Sequence, residues 1–328
     1  MVTDPMGYTV ALGMPELRHK IADLYMTWYG IALNPDRVIV TSGSSGAFVL
    51  AFTSLFDSGD RVGVGAPGYP SYRQILKALG LKAINIQTSP QNFFQPSSKD
   101  LDGQELSGLL VASPANPTGT MLTKEALGDL VEACQAMDIN FISDEIYHGI
   151  EYDRKSVSAL EISDDCYVVN SFSKYFSMTG WRVGWMIVPE NHIRRVERLA
   201  QNMFICAPHV SQVAALAAMD CVEELRVNID VYRKNRDIMV NGLAKAGFDR
   251  IARPDGAFYV YADVSSICED SLSFSSEILT KAGVAVTPGR DFDSKRGGGA
   301  LRFSYAQRTD DIIEGLQRLT NFMLARGS

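Results

Sequence analysis

Short apolar stretches of strand length alternate along this chain with longer stretches whose apolar residues recur every three to four positions. "RVIVT" (37–41), rich in β-branched residues, precedes "SGAFVLAFTSLF" (45–56), where Ala47, Leu50, Ala51 and Leu55 share one helical face. "DRVGVG" (60–65) is followed by the helical "SYRQILKAL" (71–79), and "AINIQT" (83–88) supplies another strand. The buried strand "GLLVAS" (108–113) leads to a helix over 123–137 with Thr123 as its N-cap. Then come "INFISD" (139–144), "YVVNSF" (167–172) and "VGWMIV" (183–188), all strand-like. Strands interleaved with helices predict an α/β fold, a mostly parallel sheet covered on both faces.

From about residue 211 to 246 the helical spacing predicts one long helix. Beyond it "GAFYVYADV", "VAVTPG" and "ALRFSYA" read as strands, and "TDDIIEGLQRLTNFML" as an amphipathic helix. At 328 residues the chain exceeds what one hydrophobic core usually supports. We therefore expect a large domain over 1–224 and a smaller C-terminal α/β domain over 225–328, carried on that helix.

Composition excludes classes rather than naming one. Apolar residues make up 46% and charged residues 21%, as in ordinary globular proteins. The apolar runs fall far short of the ~20 residues that span a bilayer. Met1 is followed by no basic segment with an apolar core, so no secretory signal is expected. A net charge of −7 with dispersed lysine and arginine argues against nucleic acid or an anionic membrane as partner. The five cysteines (134, 166, 206, 221 and 268) never form CxxC, and the four histidines form no HExxH. Reduced thiols in a cytoplasm, with no structural metal, is the reading that follows.

Several motifs fit a chemistry in form only. "GVGAPG" (63–68) matches GxGxxG, but Pro67 and Pro70 are expected to break the helix start, and the next strand ends without an acidic residue. GxxxxGK[ST] and GxSxG do not occur. "SKRGGG" (294–299) reads as a mobile loop, and His148, with no partner evident, as structural.

In parallel α/β sheets, ligands gather outside the carboxyl ends of the strands. Five predicted strands place polar residues there: Gly43–Gly46, Tyr69, Asn116, Asp144 with Tyr147, and Ser171 with Lys174. Lys174 follows a buried strand within two residues, inside "SFSKYFSMTGWRVGW" (171–185), where a solvated loop would be more polar. An amine desolvated beside a cation such as Arg182 loses its proton readily and attacks carbonyls. "SGSSG", opening a helix, would turn the N–H groups of Ser44 and Ser45 toward an anion. On residues alone, Asp144 also fits a turn cap, "NPTG" around Asn116 a turn, and Tyr69 an aromatic packing one.

The segment "SFSKYFSMTGWRVGW" resembles the active-site segment of class I/II aminotransferases, enzymes of fold type I that depend on pyridoxal 5′-phosphate (PLP). "TSGSSGAF", "APGYPSY", "SPANPTGT", "SDEIYHGIEY", "GWRVGW" and "LRFSYA" follow the same family's order across nearly the whole chain, closest to bacterial aspartate and aromatic aminotransferases. The resemblance implies an aminotransferase working between an L-amino acid and a 2-oxo acid. Lys174 would hold PLP as an imine and then move the substrate proton. Asp144 would face the pyridine nitrogen, and Tyr147 and Asn116 the phenolic oxygen. Ser44, Ser45, Ser171 and Arg182 would cradle the phosphate, and Tyr69 would stack on the ring. Arg302 would pair with the substrate α-carboxylate and draw the domains together. Tyr8 would reach the phosphate of a neighbouring subunit, implying a homodimer with a shared site.

Other readings share these residues. A carbon–sulfur β-lyase of the same fold would use the same lysine, aspartate and arginine, although "SMTGWRVGW" favours the transaminase. A non-catalytic PLP sensor or relic is the reading from another class, without the DNA-binding domain that sensors carry. Family members have several tens of residues ahead of "YTVALG", forming an arm and part of the pocket rim. Here that stretch begins near the terminus, through truncation or because the natural protein lacks the arm. This bears on pairing, closure and activity and leaves the cofactor-binding residues untouched.

Overall fold

The structure, a computed structural model, describes residues 6–327. Helix α1 (Pro15–Tyr29) precedes β1 (Val38–Thr41), α2 (Gly43–Leu55), β2 (Arg61–Ala66), α3 (Pro70–Ala78) and β3 (Lys82–Gln87). After a long connection come β4 (Gly108–Ala112), α4 (Lys124–Ala136), β5 (Asn140–Asp144), β6 (Tyr167–Ser171) and β7 (Gly184–Ile187). Three helices follow, α5 (Ile193–Phe204), α6 (His209–Ala218) and α7 (Val222–Lys245). The chain closes with β8 (Ile251–Ala252), β9 (Tyr259–Asp263), α8 (Ser271–Ala282), β10 (Thr287–Pro288), β11 (Ala300–Ser304) and α9 (Thr309–Gly327).

The first seven strands form one sheet in the order β1-β7-β6-β5-β4-β2-β3, parallel except for β7. Its strands are apolar on both faces, as a sheet covered twice requires. Phe141, Val168, Trp185 and Ile187 face one core with α1, α4 and α6, whereas Ile142, Val169 and Met186 face another with α2, α3 and α5. A second, four-stranded sheet runs β10-β11-β9-β8 and packs with α7, α8 and α9 around Val260, Phe274, Leu301 and Leu316. Tyr147, Ile150 and Tyr152 from the loop after β5 also enter this core.

Thr123 caps α4 as expected, accepting from the Ala126 N–H at 3.2 Å. Pro70 does not break a helix but occupies the first turn of α3, where its missing N–H costs nothing. The single helix expected over 211–246 is two, interrupted at residues 219–221. Acidic residues lie in the break and just after it. Asp220 pairs with Lys20 of α1, and Glu223 and Glu224 suit the positive end of a new helix. The strand expected in "VAVTPG" is only Thr287–Pro288, pairing with Arg302 and Leu301 of β11 before a 3-10 turn begins at Gly289.

"SKRGGG" is ordered, not the expected mobile loop. The carboxylate of Asp293 accepts from the N–H groups of Lys295 and Arg296, and Gly297–Gly299 form a 3-10 turn. The Arg296 guanidinium then reaches the large sheet, donating to the carbonyls of Ala66 (2.9 Å) and Thr88 (2.6 Å). In the opposite direction Arg73 donates to the carbonyls of Phe292 (3.0 Å) and Asp291 (2.7 Å), and the Gly68 N–H to Phe292 (3.0 Å). These bonds clasp the second sheet's loops to the ends of β2 and β3.

Candidate active site

β5 ends at Asp144, whose side chain is 3% exposed. One oxygen accepts from the Tyr72 hydroxyl and the other from the Ile146 N–H at 3.1 Å. Burial outweighs these bonds and the neighbouring His148, pushing the carboxyl pKa up to about 6. An unfolded aspartate titrates near 4, so between about pH 4 and 6 the folded apoprotein holds a proton that the unfolded chain has released. Stability from this group therefore falls as pH rises through that window. The stability of Asp144→Asn relative to the native apoprotein is expected to increase from pH 4 to 7 by on the order of 2 kcal/mol. Urea denaturation at each pH measures it, and a pH-independent difference contradicts the assignment.

Lys174 lies just past β6, half-buried, with its Nζ 5.7 Å from the centroid of the Tyr147 ring and 5.8 Å from that of Phe258. Desolvation lowers its pKa, Asp144 opposes this, and Arg302 and Arg182 add to the lowering. The Tyr147 hydroxyl sits 2.8 Å from that of Tyr259 on β9. Arg302 of β11 donates through Nη1 to Asn116 Oδ1 (2.8 Å) and through Nη2 to Thr287 Oγ1 (3.2 Å). Its Nε is buried without a partner, and its guanidinium carbon lies 4.3 Å from the Tyr259 ring and 4.8 Å from that of Phe292. Among the described residues, no carboxylate forms an ion pair with Lys174, Arg182 or Arg302. Two guanidiniums without a carboxylate partner, beside a desolvated amine, favour an anionic guest.

α2 opens at Gly43, with Ser44 and Ser45 in its first turn. Gly43 has φ +69°, and a Cβ there would come within 2.4 Å of Arg182 Nη2. Gly184 of β7 lies equally close, since its Cβ would meet Gly43 C at 3.0 Å and Ser44 N at 3.1 Å. The two glycines thus let a guanidinium and a strand close up on the helix N–H groups, where anions are stabilised. Arg182 itself is left-handed (φ 53°) and donates to the Thr179 carbonyl at 3.0 Å. The Ser171 hydroxyl, 1% exposed, is within 2.9 Å of Ser173 Oγ and 3.1 Å of the Val183 carbonyl.

Tyr69 is 39% exposed at the start of α3, its ring edge-on to Tyr72. Tyr8 is 83% exposed and lies outside this cluster. His148, read as partnerless, is not. Its Nδ1 is 2.6 Å from the Tyr29 hydroxyl and 3.5 Å from Glu145, and its Nε2 is 2.8 Å from the Ser113 carbonyl. Sequence reasoning missed Tyr72, Tyr259 and Thr287. Tyr72 follows Tyr69 by one helical turn, and that spacing could have revealed it.

The described residues contain no group of three or more histidine, cysteine, aspartate or glutamate side chains able to hold a metal, and no helix long and apolar enough to cross a membrane. A clustered lysine, buried carboxylate and anion cradle at the carboxyl ends of a parallel sheet define a PLP enzyme of fold type I, an α/β fold. The sequence profile of aminotransferase class I and II matches residues 5–319, and the chain belongs to that family.

The valine–pyruvate aminotransferase of Mycobacterium tuberculosis is 48% identical over 97% of this chain and 84% of its own length. A solved chain from Silicibacter pomeroyi is 67% identical with a TM-score of 0.94, covering 95% of this chain and 85% of that one. The aspartate aminotransferase of Thermus thermophilus with maleate gives 31% identity and a TM-score of 0.89, covering 96% and 84%. The protein is a PLP-dependent aminotransferase acting on amino acids and 2-oxo acids, and the relatives do not favour a lyase or a sensor. The residues present fit the cofactor. A buried, proton-avid carboxylate suits a ring nitrogen, the Gly43–Arg182 cradle suits a phosphate, and the orphaned Arg302 Nε suits a carboxylate.

Proposed function

We propose that the protein transfers the amino group of an apolar α-amino acid to a 2-oxo acid, with valine and pyruvate as the first pair to test. The observation that carries the site assignment is Arg302, a half-buried guanidinium whose buried Nε has no partner, beside Lys174. The choice of pair rests on the valine–pyruvate relative.

When bound, PLP supplies an electron sink for charge developing at the substrate Cα. Lys174 would be the covalent anchor, and its amine would move the proton at Cα. Asp144 would hold the proton on the ring nitrogen, with Tyr72 holding Asp144 in place. Tyr147 and Asn116 would contact the phenolic oxygen. The N–H groups of Ser44 and Ser45, with Ser171 and Arg182, would bind the phosphate, and Tyr69 would cover the ring. Arg302 orients the α-carboxylate.

In this reading residues 1–224 and 225–328 act as two domains, and Tyr8, exposed in the single chain, reaches the phosphate of a second copy in a homodimer. Light scattering at the mass of one chain for the holoenzyme would rule the pairing out. The five free cysteines agree with a cytoplasmic enzyme of amino-acid biosynthesis, which fractionation of the source cells tests.

The activity test is a half-reaction. Valine added to the holoenzyme is expected to convert the bound cofactor to its pyridoxamine form, and pyruvate to restore it with release of alanine. A holoenzyme whose spectrum responds to dicarboxylic amino acids alone would refute the apolar assignment. Pyruvate and ammonia from cystathionine, without an oxo-acid acceptor, would refute transamination.

A further inference from the structure

Tyr259 has no role in the scheme above, yet it touches both ends of the site. It projects from β9, buried, with its hydroxyl 2.8 Å from that of Tyr147 and its ring 4.3 Å from the Arg302 guanidinium carbon. β9 and β11 are antiparallel neighbours, with Tyr259 opposite Ser304 and Arg302 opposite Tyr261, so the stack is a diagonal cross-strand contact. We propose that Tyr259 is a positioning residue that transmits the state of Arg302 to the Tyr147 hydroxyl, and through it to the cofactor oxygen that Tyr147 contacts. This rests on the roles assigned above to Lys174, Tyr147 and Arg302.

A phenol has one proton to give. When Tyr147 gives its proton to the cofactor, its own oxygen is free to accept from Tyr259, and hydrogen bonds in such a chain strengthen one another. The cation over the Tyr259 ring makes that phenol a better donor. Burial drives the Tyr259 pKa up and Arg302 pulls against it. A substrate carboxylate that neutralises Arg302 removes the pull, so Tyr259 donates less strongly and Tyr147 follows. With PLP bound, negative charge on its phenolic oxygen would then be held less well, and the Lys174 nitrogen would keep its proton to higher pH. The other groups facing the pair are Asp144 from β5, Lys174 after β6, and Tyr69 and Tyr72 at the start of α3. The direct Arg302–Asn116 bond is a parallel route, and Tyr259→Phe leaves it intact along with the ring stack.

The experiment is a pH titration of the bound cofactor's absorption in the holoenzyme, with and without saturating isovalerate, a carboxylate with no amine to react. Isovalerate is expected to raise the midpoint of the native enzyme. Tyr259→Phe is expected to raise the carboxylate-free midpoint by about half a pH unit, the scale of one neutral hydrogen bond, and to shrink the isovalerate response. In a Tyr147→Phe background the same change is expected to do nothing further. A native midpoint indifferent to isovalerate overturns the proposal without any variant. So does a Tyr259→Phe titration that coincides with the native one, or an equal shift in both backgrounds. Absence of any titrating band in the native holoenzyme overturns the proposal, whereas absence of a borohydride-reducible adduct at Lys174 overturns the reading it rests on.

Discussion

Lys174→Ala is expected to lower kcat by at least ~10³-fold while leaving the fold intact, because one amine is asked to serve as both anchor and proton carrier. The side chain is half-buried between the rings of Tyr147 and Phe258, so truncation removes the amine and opens space without stranding a buried charge. Borohydride reduction followed by mass measurement gives a readout independent of turnover. The native holoenzyme should gain the mass of one cofactor at Lys174, and the variant none there. A variant keeping a tenth of native activity, or a reducible adduct at the site, would remove the basis of the functional reading.

Arg302→Leu is expected to reduce kcat/KM for amino acids by roughly 30-fold to several thousand-fold, the 2–5 kcal/mol typical of truncating one partner of a buried charge pair. Leucine can fill the slot between Tyr259 and Phe292, so the loss should not come from unfolding. Comparison with an amine lacking the carboxylate separates recognition from damage. The native enzyme should prefer valine over 2-methylpropylamine by a wide margin, and the variant should lose most of that preference. An unchanged preference would place the carboxylate elsewhere.

The large sheet was legible because its strands carry β-branched and apolar residues on both faces, which periodicity detects. The helix break at 219–221 was not, since no glycine or proline marks it. The site's strand-end residues could be gathered from a rule about parallel sheets. Tyr72 and Tyr259 could not be gathered that way, because each is defined by a partner 72 or 112 residues distant in sequence. "SKRGGG" looked mobile for the same reason. Its anchors are carbonyls at positions 66 and 88, and a carbonyl leaves no trace in residue identity.

That clasp has an asymmetric tolerance built into it. Each bond across it ends on main-chain oxygen, so the residues at 66, 88, 291 and 292 are free to drift as far as the fastening is concerned. The donors are not. Arg73 grips two carbonyls through the two arms of its rigid planar fork, and Arg296 holds two through Nη2 while Asp293 fixes its Nε; a lysine in either place would be only a flexible point charge. Two side chains, rather than two matched surfaces, carry the specificity of this join.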